Sequence, residues 1–479
     1  MISTAAFLLA SFTVVPFWLT VVPPASAAEG RWFEQVKAEA SDAELYQILF
    51  EMPKGGDLHE HLSGSGLSEW WFDEAIAASA HGYRYYTKVK INNCREYGAA
   101  TAPGAAPYYL MFTNITEARW RALPTCEQGE YLPLSDLAPV VRAAWENSIR
   151  LDKPTEGRDE FFGTHWSRLG DMAVNPWLIA ELLYRNIQAF ANEGLIYLEP
   201  QLPTQGYTMP DGSSIPEAQV AEIFRQRLGA KDVLATGMTV RFQQSILRFA
   251  PNAEQQLREM YKLVAENDLW VAVNMVGRED NDKGHPLRFL STLRELRRQY
   301  HGVKLSIHAG EVDEPNAHIS DTLLLGADRI GHGVNLIADP DTMRLMRHGP
   351  YMVEINLVSN LLLEYVDDYS QHPFPEYLRI GIPVALSTDD RGMWDSTMTD
   401  EFYVAVREFN LSWDEVKLLS RNSLKYSFVE DDVKARLLAT YEDRIGAFEA
   451  RMTKRGLKAL TYKNAPKRSF ICTRYGVCG

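Results

Sequence analysis

Past residue 190, short apolar runs of the chain alternate with longer amphipathic segments. The apolar runs have the length of buried strands, whereas segments such as 253–267 and 287–300 repeat their apolar residues with helical spacing. Regular alternation of this kind is typical of βα units with a parallel sheet. The predicted strands of this part are 195–202, 238–245, 270–277, 304–308, 329–333, 352–357 and 383–387.

A further strand is predicted to end at the His59-Glu60-His61 motif, which brings the number of strands to eight. Eight parallel strands close a (β/α)8 barrel, in which side chains at the C-terminal strand ends face one site. Chemically active residues follow the first, fifth, sixth and eighth predicted strands, and an open sheet would not bring those ends together. We therefore predict an α/β fold with a (β/α)8 TIM-type barrel.

Two regions depart from this rhythm. Residues 82–165 are predicted to be an insertion after the first strand, over or beside the barrel mouth. After residue 400 the chain is predicted to be helical, and Ser412 with Glu415 has the spacing of a capping box. The expected organisation is one barrel domain over 28–479, with a basic tail at 462–479.

Composition and charge narrow the class of protein. The 479 residues are 46% hydrophobic and 23% charged, which is ordinary for a soluble enzyme. The formal net charge of −14 disfavours a nucleic-acid partner, because phosphate contacts need a basic surface. A small-molecule substrate is favoured instead.

The N-terminus predicts export. Residues 1–28 carry no charged side chain, 5–22 form an apolar run, and Ala25-Ser26-Ala27 has the pattern of a signal-peptidase site. Cleavage after Ala27 would give a secreted or periplasmic protein without stable membrane association. The alternative is that the run is retained as an anchor.

The four cysteines suit an oxidising compartment. They are Cys94, Cys126, Cys472 and Cys478, and four cysteines allow three pairings. Proximity along the chain favours Cys94–Cys126, which would tie the insertion together, and Cys472–Cys478, which would close a small loop in the tail. A metal site is the poorer interpretation, because no cysteine stands in a C-x-x-C pair or near a histidine.

Four side chains could bind one metal ion. His59 and His61 stand two residues apart, so a strand presents both rings on one face. A lone H-x-H pair would more often be structural, but His308 and Asp389 at other strand ends complete a set that suits one zinc ion per chain. Zinc held in this way makes water a nucleophile at neutral pH. Segment 270–277 has no lysine or glutamate to bridge a second metal.

Three residues are candidates for proton transfer and orientation. Glu311 follows His308 by three residues, so its loop can place a carboxylic acid over the open side of the metal, where it could protonate a leaving group or ring nitrogen. A solvated loop glutamate is the alternative. His332 could orient the attacking water, and Asp390 could form a hydrogen bond with the substrate.

Two further residues are candidates for substrate binding. Gly277 ends the fourth strand and could leave its backbone N–H open to a ligand, although a simple turn would also explain it. Glu199 ends the second strand, on the face that holds the other site residues, and could accept hydrogen bonds from a substrate. The alternative for Glu199 is an ion pair with a neighbouring base.

Short motifs are spread over most of residues 50–440. They are 52–54 (MPK), 58–62 (LHEHL), 308–311 (HAGE), 329–334 (RIGHGV), 356–360 (NLVSN), 372–374 (HPF), 387–390 (STDD), 399–402 (TDEF) and 421–424 (RNSL). Together they resemble the adenosine deaminase family of the amidohydrolase superfamily. Export, the disulfide-bearing insertion and Gly284-His285-Pro286-Leu287 resemble the secreted adenosine deaminase-related growth factors. With the nucleoside substrate that this resemblance implies, Glu199 is predicted to accept hydrogen bonds from the ribose hydroxyls.

The resemblance implies a zinc-dependent deaminase that converts adenosine, and 2′-deoxyadenosine, to inosine and ammonia. It implies His59, His61, His308 and Asp389 as zinc ligands, and Glu311 as the proton donor to the purine ring. By the same resemblance His332 would position the attacking water, Asp390 would bond the purine ring or the attacking oxygen, and the Gly277 N–H would bond a ring nitrogen.

Other functions stay open at this level. They are a zinc amidohydrolase of another aminopurine, a hydrolase of amide or ester bonds, and a non-catalytic extracellular binding protein. Ser63 stands where intracellular relatives often have an aspartate for the ribose, and Arg278 where the secreted subgroup tends to have a histidine. The segment before His59 is shorter than that subgroup's dimerisation region, so the oligomeric state also stays open.

Overall fold

The computed structural model describes residues 30–96, 106–153, 155–461 and 465–478. The predicted signal peptide, residues 97–105 of the predicted insertion and the first residues of the basic tail lie outside the described residues. Among the helices that are described, none combines the length and the apolar character that crossing a bilayer requires.

Most strands belong to two parallel sheets. One has the order β1-β5-β6, and the other runs β7-β8-β9-β10-β11-β12, with every pair parallel. A third sheet, β3-β2-β4, is antiparallel. The strands are β1 (Gly56–Asp57), β2 (Tyr85–Lys88), β3 (Asn114–Thr116), β4 (Tyr131–Pro133), β5 (Tyr197–Leu198), β6 (Thr239–Val240), β7 (Phe242–Leu247), β8 (Trp270–Val276), β9 (Lys304–Ala309), β10 (Arg329–His332), β11 (Met352–Ile355) and β12 (Val384–Leu386).

Isolated parallel bridges connect the two parallel sheets at both of their junctions. Glu60, just past β1, pairs with Asp389, just past β12, and Gln201 pairs with Gln243 of β7. The predicted strand 238–245 is divided at Arg241, where pairing passes from β5 to β8. The prediction of a parallel α/β fold is therefore confirmed, with one strand split in two.

Helices follow most of the parallel strands, as the alternation predicts. In Ala253–Glu266 the buried residues recur with helical spacing, and this face packs on β7 and β8. Ser412 and Glu415 form the predicted capping box of the helix Trp413–Lys425. The described α-helices from residue 176 onward are Pro176–Asn192, Glu217–Leu228, Lys231–Leu234, Ala253–Glu266, Leu290–Gln299, His318–Leu325, Pro340–His348, Leu357–Leu362, Phe374–Ile380, Arg391–Trp394, Met398–Phe409, Trp413–Lys425, Asp431–Arg455 and Ser469–Tyr475.

The predicted insertion holds the antiparallel sheet, which the sequence did not predict. Cys94 and Cys126 form a disulfide there, and Cys472 pairs with Cys478 near the C-terminus, in the pairing that proximity favours. The described α-helices before residue 176 are Arg31–Glu39, Asp42–Glu51, Leu62–Ser65, Ser68–Ala77, Glu117–Ala122, Thr125–Gln128, Pro139–Ile149, Arg158–Glu160 and Trp166–Leu169, and Phe161–His165 is a π-helix.

Candidate active site and metal centre

Four side chains meet at the C-terminal ends of the parallel strands. His59 and His61 follow β1, His308 lies in β9, and Asp389 follows β12. One nitrogen or oxygen atom of each lies within 4.8 Å of the corresponding atom of every other. The alternation along the chain sends Glu60 to the opposite side, where it accepts hydrogen bonds from Asn186.

The cluster fits a metal ion. His61 Nε2 lies 3.2 Å from His308 Nε2 and 3.2 Å from Asp389 Oδ1, and His59 Nε2 lies 3.4 Å from the same oxygen. His59 Nε2 and Asp389 Oδ1 are buried without a hydrogen-bond partner among the described residues. Buried polar atoms of this kind need a ligand, and three imidazoles with one carboxylate are a donor set that suits zinc.

The other nitrogens of two of these rings are fixed by neighbouring strands. His59 Nδ1 lies 2.7 Å from Glu354 Oε2, and His308 Nδ1 lies 2.9 Å from Asn274 Oδ1. Glu354 is itself held by an ion pair, in which Arg329 Nε lies 2.5 Å from Oε1 of Glu354. Such outer contacts fix the ring tautomer and direct Nε2 inward. Glu354 and Asn274 are not among the residues predicted from the sequence, although a polar residue inside an otherwise apolar strand is a usable signal.

Two residues of the site have a strained backbone. Asp389 and His332 adopt the left-handed conformation, with φ of +55° and +64°. This conformation costs a non-glycine residue about 1–3 kcal/mol and is found where the surroundings impose it, often at functional sites. At Gly331, before His332, an added Cβ would lie 2.6 Å from Cε1 of His59, so only glycine leaves room for that ring.

Glu311 lies next to the ligand cluster. Its carboxyl is 5% exposed, its Oε1 lies 3.7 Å from His332 Nε2, and Tyr365 donates a hydrogen bond to the same oxygen at 3.3 Å. Burial, with the negative charge of Asp389, raises the pKa of Glu311 to about 8. The carboxyl therefore retains a proton at neutral pH, which a general acid requires.

His332 and Asp390 are also buried beside the cluster. Burial lowers the pKa of His332 to about 4, so its ring is neutral, and Asn360 Oδ1 contacts its Nδ1 at 2.9 Å. Burial and the charge of Asp389 raise the pKa of Asp390 well above its usual range. A protonated Asp390 could donate a hydrogen bond to a ring nitrogen.

Glu311, Asp390 and all the candidate metal ligands except His59 border a cavity of about 480 Å³. Gly277 lies on its wall with φ +93°, and a Cβ there would lie 2.6 Å from Cδ1 of Leu247. Arg278 is the only arginine or lysine among the described lining residues, and it pairs with Asp159 and Asp280 at 2.6 Å. The apolar lining residues are Leu62, Phe161, Phe162, Trp166, Pro203, Leu247, Phe249 and Val276.

Most of the aromatic part of this wall comes from the end of the predicted insertion and the residue that follows it. Phe161 and Phe162 lie in a π-helix and Trp166 follows it, so the insertion ends inside the active site. Ion pairs hold this segment to the strand loops, namely Arg158 with Asp313, and Asp159 with Arg278. These aromatic residues are not among the site residues predicted from the sequence.

Comparisons with known proteins agree with this site. The adenosine deaminase family profile matches residues 144–443, which is more than half of the chain. The chain belongs to the adenosine deaminase family. It is a hydrolytic deaminase that acts on purine amidine C–N bonds, and the metal ion that the family uses has a matching His/Asp site here.

Individual relatives agree with the family assignment. Adenosine deaminase from Serratia proteamaculans is 30% identical over 271 residues, which cover 56% of this chain and 77% of that protein. Adenosine deaminase from Lutzomyia longipalpis is 24% identical over 429 residues, covering 84% of this chain and 79% of that protein. The N6-mAMP deaminase of Arabidopsis shares the fold, with TM-score 0.60 and 21% identity over 82% of this chain and 99% of that structure.

The predicted role of Glu199 in this deaminase is wrong. Both carboxylate oxygens are occupied inside the fold, Oε1 by Arg329 and Gln243, and Oε2 by Tyr197 and the backbone N–H of Phe428. Glu199 does not line the cavity. The ion pair with a neighbouring base, which was the alternative, is the one observed.

Glu279 is a further residue of the site that was not predicted from the sequence. This buried carboxylate accepts hydrogen bonds from the backbone N–H groups of Gly310 at 3.0 Å and Glu311 at 2.7 Å, and it contacts His318 Nδ1 at 2.7 Å. Burial alone would raise its pKa, but the bond with His318 and the charge of Arg248 outweigh burial and lower it. The ionised group therefore fixes the backbone that carries Glu311.

We expect Glu279→Gln to lower kcat about tenfold. The amide of glutamine has only one oxygen, so one of the backbone N–H groups of Gly310 and Glu311 would face the amide NH2 and lose its acceptor. A buried donor without a partner destabilises the loop position that carries Glu311. KM should change less, since Glu279 lies outside the cavity lining. Steady-state kinetics with Asp282→Asn, an exposed carboxylate nearby, as the matched control measures this. An unchanged kcat in Glu279→Gln would show that the loop holds its position without the carboxylate.

Proposed function

We propose that the protein is an exported, zinc-dependent adenosine deaminase that converts adenosine, and 2′-deoxyadenosine, to inosine and ammonia. The observation that carries this proposal is the position of Glu311, a buried carboxyl beside both the ligand cluster and His332, at the end of a largely apolar cavity. Protonation of a ring nitrogen is what deamination needs in addition to activated water, and an ester or amide hydrolase has no such requirement.

The supporting architecture is proposed to be a closed (β/α)8 barrel. The parallel bridges of Glu60 with Asp389 and of Gln201 with Gln243 support closure, because they join the two parallel sheets at both junctions. Membership of the secreted growth-factor subgroup and export to a secreted or periplasmic location are also proposals. They are supported by the Ala25-Ser26-Ala27 pattern and the two disulfides.

His59, His61, His308 and Asp389 would hold one zinc ion. When bound, zinc would act as a Lewis acid and make water available as a nucleophile at neutral pH. The orphaned His59 Nε2 and Asp389 Oδ1 support this assignment, since both would gain a partner.

The roles of the other residues follow from their protonation states. Glu311 would donate its proton to a purine ring nitrogen as the attacking water adds to the adjacent carbon. His332, neutral at physiological pH, would orient that water through Nε2, because Asn360 occupies Nδ1. Asp390 and the Gly277 N–H would hold the ring by hydrogen bonds. The amino group would then leave as ammonia with one proton of the attacking water, and the other proton of that water would restore Glu311.

A nucleotide substrate is the second candidate, because the N6-mAMP deaminase shares this fold. A phosphate would need a free cation at the cavity, whereas the guanidinium of Arg278 is already bound by Asp159 and Asp280. The surroundings of Arg278 therefore support a nucleoside.

We expect adenosine to have a kcat/KM at least about tenfold above those of adenine and AMP. Adenine has no sugar, so the buried polar groups that would bind the sugar stay unpaired, which costs binding energy. AMP brings a phosphate whose charge is not compensated by Arg278, which is already paired. Ammonia release from adenosine, 2′-deoxyadenosine, adenine, AMP and guanosine measures this ranking. Methylamine release from N6-methyl-AMP tests the nucleotide alternative. A higher kcat/KM for adenine or AMP would refute the nucleoside assignment and leave the deaminase chemistry standing.

A further inference from the structure

Gln201 has a fixed position beside the metal centre. It follows β5, and its backbone forms bridges with His61 on one side and Gln243 on the other. Its N–H donates to the Glu60 carbonyl at 2.8 Å, and its carbonyl accepts from the N–H of Leu62 at 3.3 Å. These backbone hydrogen bonds hold the main chain of Gln201 at this junction of the two sheets, so the position of its Cα is fixed.

The side chain of Gln201 lines the cavity and is unpaired. The residue is 3% exposed, and both amide atoms, Oε1 and Nε2, are buried without a hydrogen-bond partner among the described residues. A buried amide of this kind is costly unless water or a ligand satisfies it. Gln201 therefore presents one donor group and one acceptor to whatever fills the cavity.

Two neighbouring glutamines show that this is not a general feature of the strand ends. Gln243 donates to the Leu58 carbonyl at 2.9 Å and accepts from Asn274 at 2.9 Å. Gln244 donates to the hydroxyl of Thr204 at 3.0 Å and accepts from the backbone N–H of that residue at 3.2 Å. Both are as buried as Gln201, and both are satisfied within the protein.

The chemistry of an amide selects the kind of partner. A hydroxyl both donates and accepts, so it can pair with either amide atom, and two adjacent hydroxyls can pair with both. A phosphate dianion offers only acceptors and would leave Oε1 facing negative charge. In the proposed reaction the purine is bound by Gly277, Glu311 and Asp390, which line the same cavity. The sugar hydroxyls are the polar groups of a nucleoside that remain for Gln201.

We propose that Gln201 binds a sugar hydroxyl of the nucleoside and thereby sets the preference for nucleosides over free bases. This inference rests on the proposed nucleoside substrate. It also replaces the ribose contact that was wrongly predicted for Glu199, since Gln201 lies two residues further along the same segment and reaches the cavity.

The test combines a change in the enzyme with a change in the substrate. Gln201→Met keeps the length of the side chain and removes both polar atoms. We expect it to lower kcat/KM for adenosine about tenfold or more, because it removes a buried hydrogen bond. One of 2′-, 3′- and 5′-deoxyadenosine should be a poorer substrate for the wild type and should lose nothing further in Gln201→Met. Gln226→Leu, an exposed glutamine, is the matched control.

Three outcomes would overturn the inference. They are no loss in Gln201→Met, an equal loss on all the nucleosides and on adenine, and a loss that is the same whichever hydroxyl is missing. If Gln201→Met does not fold, Gln201→Asn, which shortens the reach of the amide, is measured in the same way.

Calorimetry separates this inference from the proposed function. Wild type that releases no ammonia from any nucleoside would refute the proposed function. Binding of inosine and of hypoxanthine would still test Gln201, because the wild type should prefer inosine and Gln201→Met should lose that preference. Equal binding of the two ligands by the wild type would refute the sugar contact itself.

Discussion

Glu311→Gln should retain the fold and the metal ion but lose most deaminase activity, about 10²–10⁴-fold in kcat, which corresponds to about 3 kcal/mol or more of transition-state stabilisation. The amide has the same shape but carries no acidic proton for the ring nitrogen. Burial keeps the native carboxyl protonated at neutral pH, so the wild-type group is in the right state to donate before the substrate binds.

The measurement is kcat and kcat/KM of Glu311→Gln for adenosine, with metal content and thermal midpoint determined on the same sample. Glu314→Gln is the matched control, because Glu314 lies on the same loop, is exposed and lies outside the described lining of the cavity. If Glu311→Gln retained normal rates with full metal content, Glu311 would not be the proton donor.

Strand ends were the predictable part of the site. His59 and His61 share a face because they are two residues apart, and a strand leaves few alternatives for their direction. His308 and Asp389 then follow from the rule that parallel strands end at one edge of the sheet. The structure brings these four side chains together from three strands that are far apart in sequence.

Long-range contacts were not predictable from local pattern. Glu199 was expected to face the substrate, but Arg329, 130 residues away, binds its carboxylate at 2.5 Å. Nothing near Glu199 in the sequence indicates that partner. Gln201 and Glu279 were missed for the same reason, since their significance depends on which neighbours pair with them and which do not.

The insertion shows a different limit of the sequence. Residues 82–165 are identified as an insertion because they lack the βα alternation. The lack of alternation gives the bounds of the insertion but does not predict its secondary structure. The antiparallel sheet β3-β2-β4 consists of strands only three or four residues long, too short to give a reliable alternation. Phe161 and Phe162 were assigned to the insertion, and only the structure shows that they border the cavity.

Purified wild type should contain one equivalent of zinc, and His59→Ala/His308→Ala should contain almost none. Removing two of the four proposed ligands leaves too few donors for a tight site, and the outer contacts of Glu354 and Asn274 then lose the rings that they orient. Elemental analysis after dialysis against a weak chelator measures the content. His348→Ala, an exposed histidine on a surface helix, is the matched control and should retain its metal.

Metal removal should also lower the thermal midpoint of the wild type, because an ion that binds only the folded state stabilises it by an amount that grows with the logarithm of its affinity. Stripping the ion restores the unpaired state of His59 Nε2 and Asp389 Oδ1, and added zinc should recover the midpoint in the wild type but not in His59→Ala/His308→Ala. Two equivalents of zinc in the wild type would refute the single-metal site. Full zinc content in the double variant would show that the ion is held elsewhere.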